Sequence, residues 1–320
     1  MSKKKLLAIN LNEFNLNYIK YGAKKYNCEN IQKFLKLKYI KTFSSDKIQD
    51  KDLDPWVQNI SINSGKKSKE HKIFNLGEQI PKNLIQIWDH LSQKKITSAI
   101  WGPMNTNFKN NRFIKVFLPD PWNKQNIVKP RELDNFYNLA RTYAQNYTQK
   151  KDKINFLYLF KSLFYLFKNG LILKLFKNFY LFFSIFIKRK FKNYFLFFLF
   201  DIISLYIFEN LTKNKKINFS LFFLNSLAHF QHNNWDNKYE EKDYFLLTDV
   251  ILKVIFNISK KYDSLIIYNG FSQKKIKSEY MLRPNNPKKF LKSYNIKFSN
   301  FHSNMTNGAI LSFRNNKILK

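Results

Sequence analysis

The sequence predicts one α/β domain, built as three layers, α/β/α, around a mostly parallel central sheet. Three observations predict it. A short apolar run, Leu6–Leu11, ends abruptly in the polar pair Asn12-Glu13, as a buried strand does at its carboxyl edge. Helical spacing followed by a strand-like run occurs twice, over 85–101 and over 246–268, the alternation that builds parallel sheets covered on both faces. No Pro/Gly/Ser-rich linker divides the 320 residues, so a single domain over 1–320 is expected.

The elements follow in order. Leu6–Leu11 is the first strand, residues 16–36 carry helical spacing, and Tyr39–Phe43 reads as a second short strand. Ile85–Leu91 is helical and leads into Thr97–Trp101, a strand closed by Gly102-Pro103. Near the other end Leu246–Ile258 is helical and Ser264–Tyr268 is a strand.

Between them the chain changes character. From Ile154 to Phe208 it is dominated by Phe, Tyr, Leu and Ile, broken by Lys161, Lys168, Lys174, Lys177 and the Lys188-Arg189-Lys190 cluster. A membrane span needs roughly 20 consecutive apolar residues. No run here is expected to reach that, because lysines close Phe179–Ile187 and Asp201 splits Tyr194–Ile207. The segment 150–215 is therefore expected to form a helical insertion or cap. It would either cover the sheet, with lysine stems lying over apolar surface, or rest on an anionic membrane face.

The formal charge is +34, from 56 Lys+Arg against 22 Asp+Glu, which suits an acidic partner. Heavy use of Lys, Asn, Ile and Phe with only 7 Gly is also what AT-biased coding produces, so the charge is a weak functional signal. Interleaved aromatics and cations suit single-stranded nucleic acid. No recognition motif accompanies them, and nucleic acid is not the expected partner. Cys28 is the single cysteine, which excludes an internal disulfide or a cysteine metal cluster and fits a reducing compartment. Leu6–Ile9 gives way at once to Asn10, Asn12 and Glu13, too short for a signal peptide. The expectation is a chain that starts at or near Met1 and stays in the cytoplasm, where it could lie against the inner membrane face.

Chemistry-bearing residues are few. Among five histidines, His229 and His232 stand i, i+3 in Leu224-Asn-Ser-Leu-Ala-His-Phe-Gln-His232, a spacing that on a helix puts both rings on one face and within reach of a divalent metal. A pair of hydrogen-bonded or solvated histidines is the plainer alternative. Ser61 and Ser64, in Trp56-Val-Gln-Asn-Ile-Ser-Ile-Asn-Ser-Gly65, carry hydroxyls that need a base or metal to become nucleophiles. Serine before glycine is also an ordinary turn signal.

Asp54–Gly65 followed by Ser68-Lys-Glu-His-Lys-Ile-Phe-Asn75 resembles the nucleophile segment of sulfatases and type I phosphodiesterase/nucleotide pyrophosphatases, members of the alkaline phosphatase superfamily. The remaining landmarks come in that family's order. Leu6–Glu13 resembles its opening strand, Gln86–Leu91 its first covering helix and Ile96–Met104 the next strand. Leu224–His232 resembles its metal-binding loop, Tyr268–Gln273 the strand end that normally carries Asp-His, and His302 stands near the last histidine ligand. The closest likeness is to an uncharacterised branch with Leu-Asn-Glu on the first strand and Ala-His-x-Gln-His in the later loop.

The departures are local. The family's nucleophile position falls on Pro55, which has no nucleophilic atom. Asn12-Glu13 replaces the first Asp ligand, Asn269-Gly270 replaces the Asp-His pair, and Lys72 stands where Gly is usual.

The resemblance implies a metal-dependent hydrolase or transferase acting on a phosphate or sulfate ester with a non-standard site. It places a divalent cation, zinc, manganese or magnesium, on Glu13, His229, His232 and His302. Asn12, Gln58, His71, Asn269 and Gln273 would bind the ester. Ser61, Ser64 and Asp54 are the catalytic candidates, with metal-activated water as the other nucleophile. The alternative is a catalytically inactive relative retained as a binding or scaffold protein in surface glycan or lipid metabolism.

Overall fold

The computed structural model describes residues 4–44, 46, 54–109, 111–145, 154–189, 192–213, 215–235, 238–275, 282, 284–303 and 309–314. Among these, five strands form one sheet in which every neighbouring pair is parallel: β1 (Leu6–Leu11), β2 (Ser98–Trp101), β3 (Ile114–Leu118), β4 (Phe219–Leu224) and β5 (Ser264–Tyr268). Their order is β3-β2-β4-β1-β5. The carboxyl ends of β4, β1 and β5 are therefore side by side, and ligands of open α/β sheets bind at such ends.

Strand alternation divides the core into two. Leu7, Ile9 and Leu11 of β1 pack with Phe222 and Leu224 of β4 into the large cluster on one face. Ala8 of β1 joins Phe219 and Leu221 of β4 on the other. The first face is covered by α1 (Leu16–Tyr26), α2 (Glu29–Leu35) and later helices. The second is covered by α3 (Pro55–Ser64) and α5 (Ile87–Gln93), with α4 (Ser68–His71) packed against α3. Helices on both faces of a parallel sheet are what a three-layer α/β/α fold requires.

The middle of the chain is helical: α6 (Asp134–Gln145), α7 (Phe156–Lys168), α8 (Leu171–Arg189) and α9 (Asn193–Lys213). After β4 come α10 (Ser226–Asn234) and α11 (Lys238–Ser259), which returns the chain to β5. Helix α11 packs against α1 so closely that a Cβ on Gly22 would lie 2.0 Å from the Phe245 ring. Beyond β5 are α12 (Pro287–Ser293) and a separate antiparallel pair, β6 (Asn300–Ser303) and β7 (Ala309–Ser312).

Two expectations change. Tyr39–Phe43 forms no strand: it is irregular, and Tyr39, Ile40 and Phe43 are 70%, 83% and 81% exposed. Alternating β-formers make a strand only where a sheet edge offers its hydrogen bonds. Second, Tyr194–Lys213, within α9, is long and apolar enough to cross a membrane by length and composition. Its Phe198, Ile202, Leu205 and Phe208 nevertheless pack in the large core cluster, and of its two acids Asp201 is bonded to the start of α10 while Glu209 pairs with Lys174 and Lys261.

Candidate functional site

Glu13 follows β1 in the left-handed region, at φ 55°, a conformation that costs a non-glycine residue and persists only when its surroundings enforce it. Those surroundings are visible. The Glu13 carbonyl accepts from Gln231 Nε2 at 2.8 Å and from the Gln273 main-chain N–H at 3.4 Å. Gln231 is itself held by the Tyr244 hydroxyl, which donates to Oε1 at 3.1 Å. The chain turn after β1 is thereby tied to α10, α11 and the segment after β5.

The Glu13 carboxylate is almost wholly buried and collects donors on both oxygens. Asn12 Nδ2 donates to Oε1 at 3.3 Å, Gln273 Nε2 donates to Oε2, and His232 Nε2 lies 3.2 Å from Oε2. Gln273 Nε2 also lies 3.1 Å from the His232 ring. The His232 side chain is 56% exposed, so one face of the imidazole looks into solvent. Its hydrogen bond to Glu13 raises its pKa above the ordinary imidazole value, opposed by partial desolvation.

A second polar chain leads away from Glu13. Asn12 Nδ2 donates to Asn225 Oδ1 at 2.7 Å, and Asn225 Nδ2 lies 3.1 Å from His229 Nε2. Because the Asn225 oxygen accepts from Asn12, its amide nitrogen faces His229, and His229 Nε2 is the acceptor. The ring stacks on Phe197 at 3.6 Å with planes 7° apart. Burial, then the nearby His232, pushes the His229 pKa down to about 3. Both histidines ride on α10, as their spacing predicts, yet their bonds diverge: His232 turns to Glu13 and His229 to Asn225. The expectation of a common metal point for both rings is not met.

Asp201 of α9 anchors the start of α10. Its Oδ2 accepts the main-chain N–H of Asn225 at 3.1 Å and of Ser226 at 2.8 Å, satisfying donors that a helix start leaves unpaired. Burial raises its pKa to about 6 against those bonds. Asp120, just past β3, braces two loops instead: it accepts from Asn105 N at 3.0 Å and Trp122 N at 2.9 Å, and burial raises its pKa to about 7.

The remaining candidates lie elsewhere. Asp54 is the N-cap residue of α3, its carbonyl accepting from Val57 and Gln58, and Pro55 occupies the first helical position. Gln58 donates to Asp46 at 3.0 Å and lies beneath Gly270. Ser64 Oγ bonds back to Ile60 O at 2.7 Å, a local use of the hydroxyl. Asn269 Nδ2 donates to the Phe14 and Phe271 carbonyls, bracing the loop after β5. His302 lies on β6, and its side chain is outside the described residues.

Ser61 does have a histidine beside it, with Oγ 3.1 Å from His71 Nε2. The other nitrogen decides what the pair can do. His71 Nδ1 accepts the Ile73 N–H at 3.1 Å and so carries no proton, which leaves the neutral ring protonated at Nε2 and donating to Ser61. A ring that donates to a hydroxyl cannot remove its proton, so the serine nucleophile predicted here lacks its base.

No family model, curated protein or solved structure matches this chain. Among the described residues no group of three or more His, Cys, Asp or Glu is arranged to hold a metal ion. Of the four predicted ligands, Glu13 and His232 meet. Sequence reasoning missed Asn225, Gln231, Tyr244 and Asp201. Only Asp201 carried a signal, as the acid that splits the apolar run Tyr194–Ile207, which must find a partner when buried.

Proposed function

We propose that the chain acts on a phosphate or sulfate ester as an alkaline-phosphatase-like hydrolase or transferase, at the edge formed by Asn12, Glu13, His232 and Gln273. The observation that carries this reading is the meeting of Glu13 and His232 at 3.2 Å, with the imidazole open to solvent, beside the carboxyl ends of β1, β4 and β5. Glu13 holds the His232 ring in place and favours its charged form. The charged ring pairs with an ester oxyanion and delivers a proton to the leaving oxygen, as a positioned general acid does. Gln273 and Asn12 supply amide groups at the same edge. Pro55 offers no nucleophilic atom and His71 no base for Ser61, which leaves water as the attacking group. In place of that proton, a zinc, manganese or magnesium ion would be held by Glu13 and the neutral His232 ring and would supply Lewis-acid assistance.

One observation favours a second reading, a catalytically silent ester-binding or scaffold protein in surface glycan or lipid metabolism. Both Glu13 oxygens already accept N–H donors, so amide groups stand where a cation would.

Turnover separates the two. Purified protein, supplied in turn with each metal, is assayed on a phosphomonoester, a phosphodiester and a sulfate ester against His232→Ala. Turnover lost in the variant supports the hydrolase. Saturable ester binding without turnover or bound metal establishes the second reading, and neither binding nor turnover refutes both.

A further inference from the structure

Helix α7 presents its apolar side outward. Phe156, Phe160, Phe164 and Phe167 are 78%, 70%, 61% and 72% exposed, at i, i+4, i+8 and i+11, and so share one stripe at about 100° per residue. Ser162 and Leu166, on the opposite side, are buried. Helix α8, next in the chain, also exposes apolar side chains. Leu171, Phe182 and Ile185 face the core, while Leu173 and Phe176 on its far side are 73% and 58% exposed. Scattered exposed hydrophobics are ordinary, but four large aromatics along one helix face, followed by exposed Leu173 and Phe176 on the next helix, mark an interaction surface.

Charge selects the occupant. Residues 154–200 contain eight Lys or Arg and no Asp or Glu. On α7, Lys161 and Lys168 are both exposed and lie i, i+7 along one margin of the aromatic stripe. A second copy laid on this face would bring two cationic margins together in a chain whose net charge is already +34. An anionic lipid surface instead takes the aromatics among its acyl chains and the lysines among its headgroups, the pattern of an interfacial helix.

We propose that α7 and the outer face of α8 form a docking surface for an anionic lipid bilayer. Helix α9 stays in the protein core, with Asp201 bonded at the start of α10. The surface is independent of the Glu13–His232 site and stands whether or not that site turns over.

The test is flotation of the full chain with vesicles of phosphatidylcholine alone and of phosphatidylcholine mixed with phosphatidylglycerol. The chain is expected to float with the mixed vesicles at least about tenfold better than with the neutral ones, and less so in high salt. Phe160→Ser/Phe164→Ser/Phe167→Ser is expected to weaken binding about a hundredfold while the thermal melt stays in place, since these side chains are exposed. Lys161→Gln/Lys168→Gln is expected to cost at least about tenfold on mixed vesicles and nothing on neutral ones. A chain that stays unbound, that floats equally with both vesicles, or whose triple-Phe variant floats as well as wild type overturns the proposal. So does a dimer in sedimentation that the triple variant converts to monomer, which would assign the face to a second copy. Retention by a single-stranded oligonucleotide with no flotation also overturns it.

Discussion

His232 and His71 each place an Nε2 about three ångströms from an oxygen, and only one of them can do acid–base work on a substrate. His232 faces a carboxylate, and its ring is open to solvent. His71 is buried, faces a hydroxyl, and has its other nitrogen occupied by the Ile73 N–H. The difference teaches that a short serine–histidine distance does not make a catalytic pair. The bond made by the second ring nitrogen sets which way the proton points.

Four substitutions can break or sharpen this contrast. Glu13→Gln removes the charge that holds and charges His232 while keeping an acceptor in place, and is expected to lower turnover about tenfold, within the range for a general acid; unchanged steady-state kinetics would dissolve the pairing. His71→Ala leaves the buried Ile73 N–H without its acceptor and opens a cavity. It is expected to lose about 1–3 kcal/mol in denaturant unfolding with the proposed ester turnover of the folded protein unchanged.

Asp201→Asn keeps an oxygen for the Asn225 and Ser226 N–H groups and removes the titration. The folded carboxyl has its pKa raised from 3.8 to about 6. In that window the folded state binds more protons than the unfolded, so Asp201 contributes stability below about pH 3.8 that is lost as pH rises through about 6. Melting curves across that window should therefore fall less steeply for the variant than for wild type, and identical slopes would count against a buried, titrating Asp201. Ser61→Ala is the smallest change, expected to cost at most about 1 kcal/mol and to leave turnover within about twofold. A collapse of activity there would restore the serine as nucleophile.

Legibility in the sequence followed burial and partners. Strands β1 and β5 were readable to the residue because each apolar run is followed at once by polar residues, Asn12-Glu13 and Asn269. Strand β4 was not, since Phe219–Leu224 is buried throughout and, as an unbroken apolar run just beyond aromatic helices, has no alternation to distinguish it. Tyr39–Phe43 showed the reverse failure, strand-like residues with no sheet beside them. Among the described residues of segment 150–215, Phe156–Lys168, Leu171–Arg189 and Asn193–Lys213 are helical, but the composition of the segment is nearly uniform. It could not show that α9 turns inward while α7 turns its aromatics out.

The site divides in the same way. Asn12, Glu13, His232 and Gln273, which meet in the structure, were named from strand ends, the α10 histidines and the family resemblance. The orientation of His229 depends on Asn225 and Phe197, and that of His71 on a main-chain N–H, neither of which spacing reveals.

The most direct test of the account is calorimetric titration of wild type, His232→Ala and Ser61→Ala with inorganic phosphate and inorganic sulfate. The account predicts that wild type and Ser61→Ala bind one of these anions alike, and that His232→Ala weakens it at least about tenfold, the scale of losing a charge-assisted hydrogen bond. Undiminished binding by His232→Ala, or loss confined to Ser61→Ala, would contradict it.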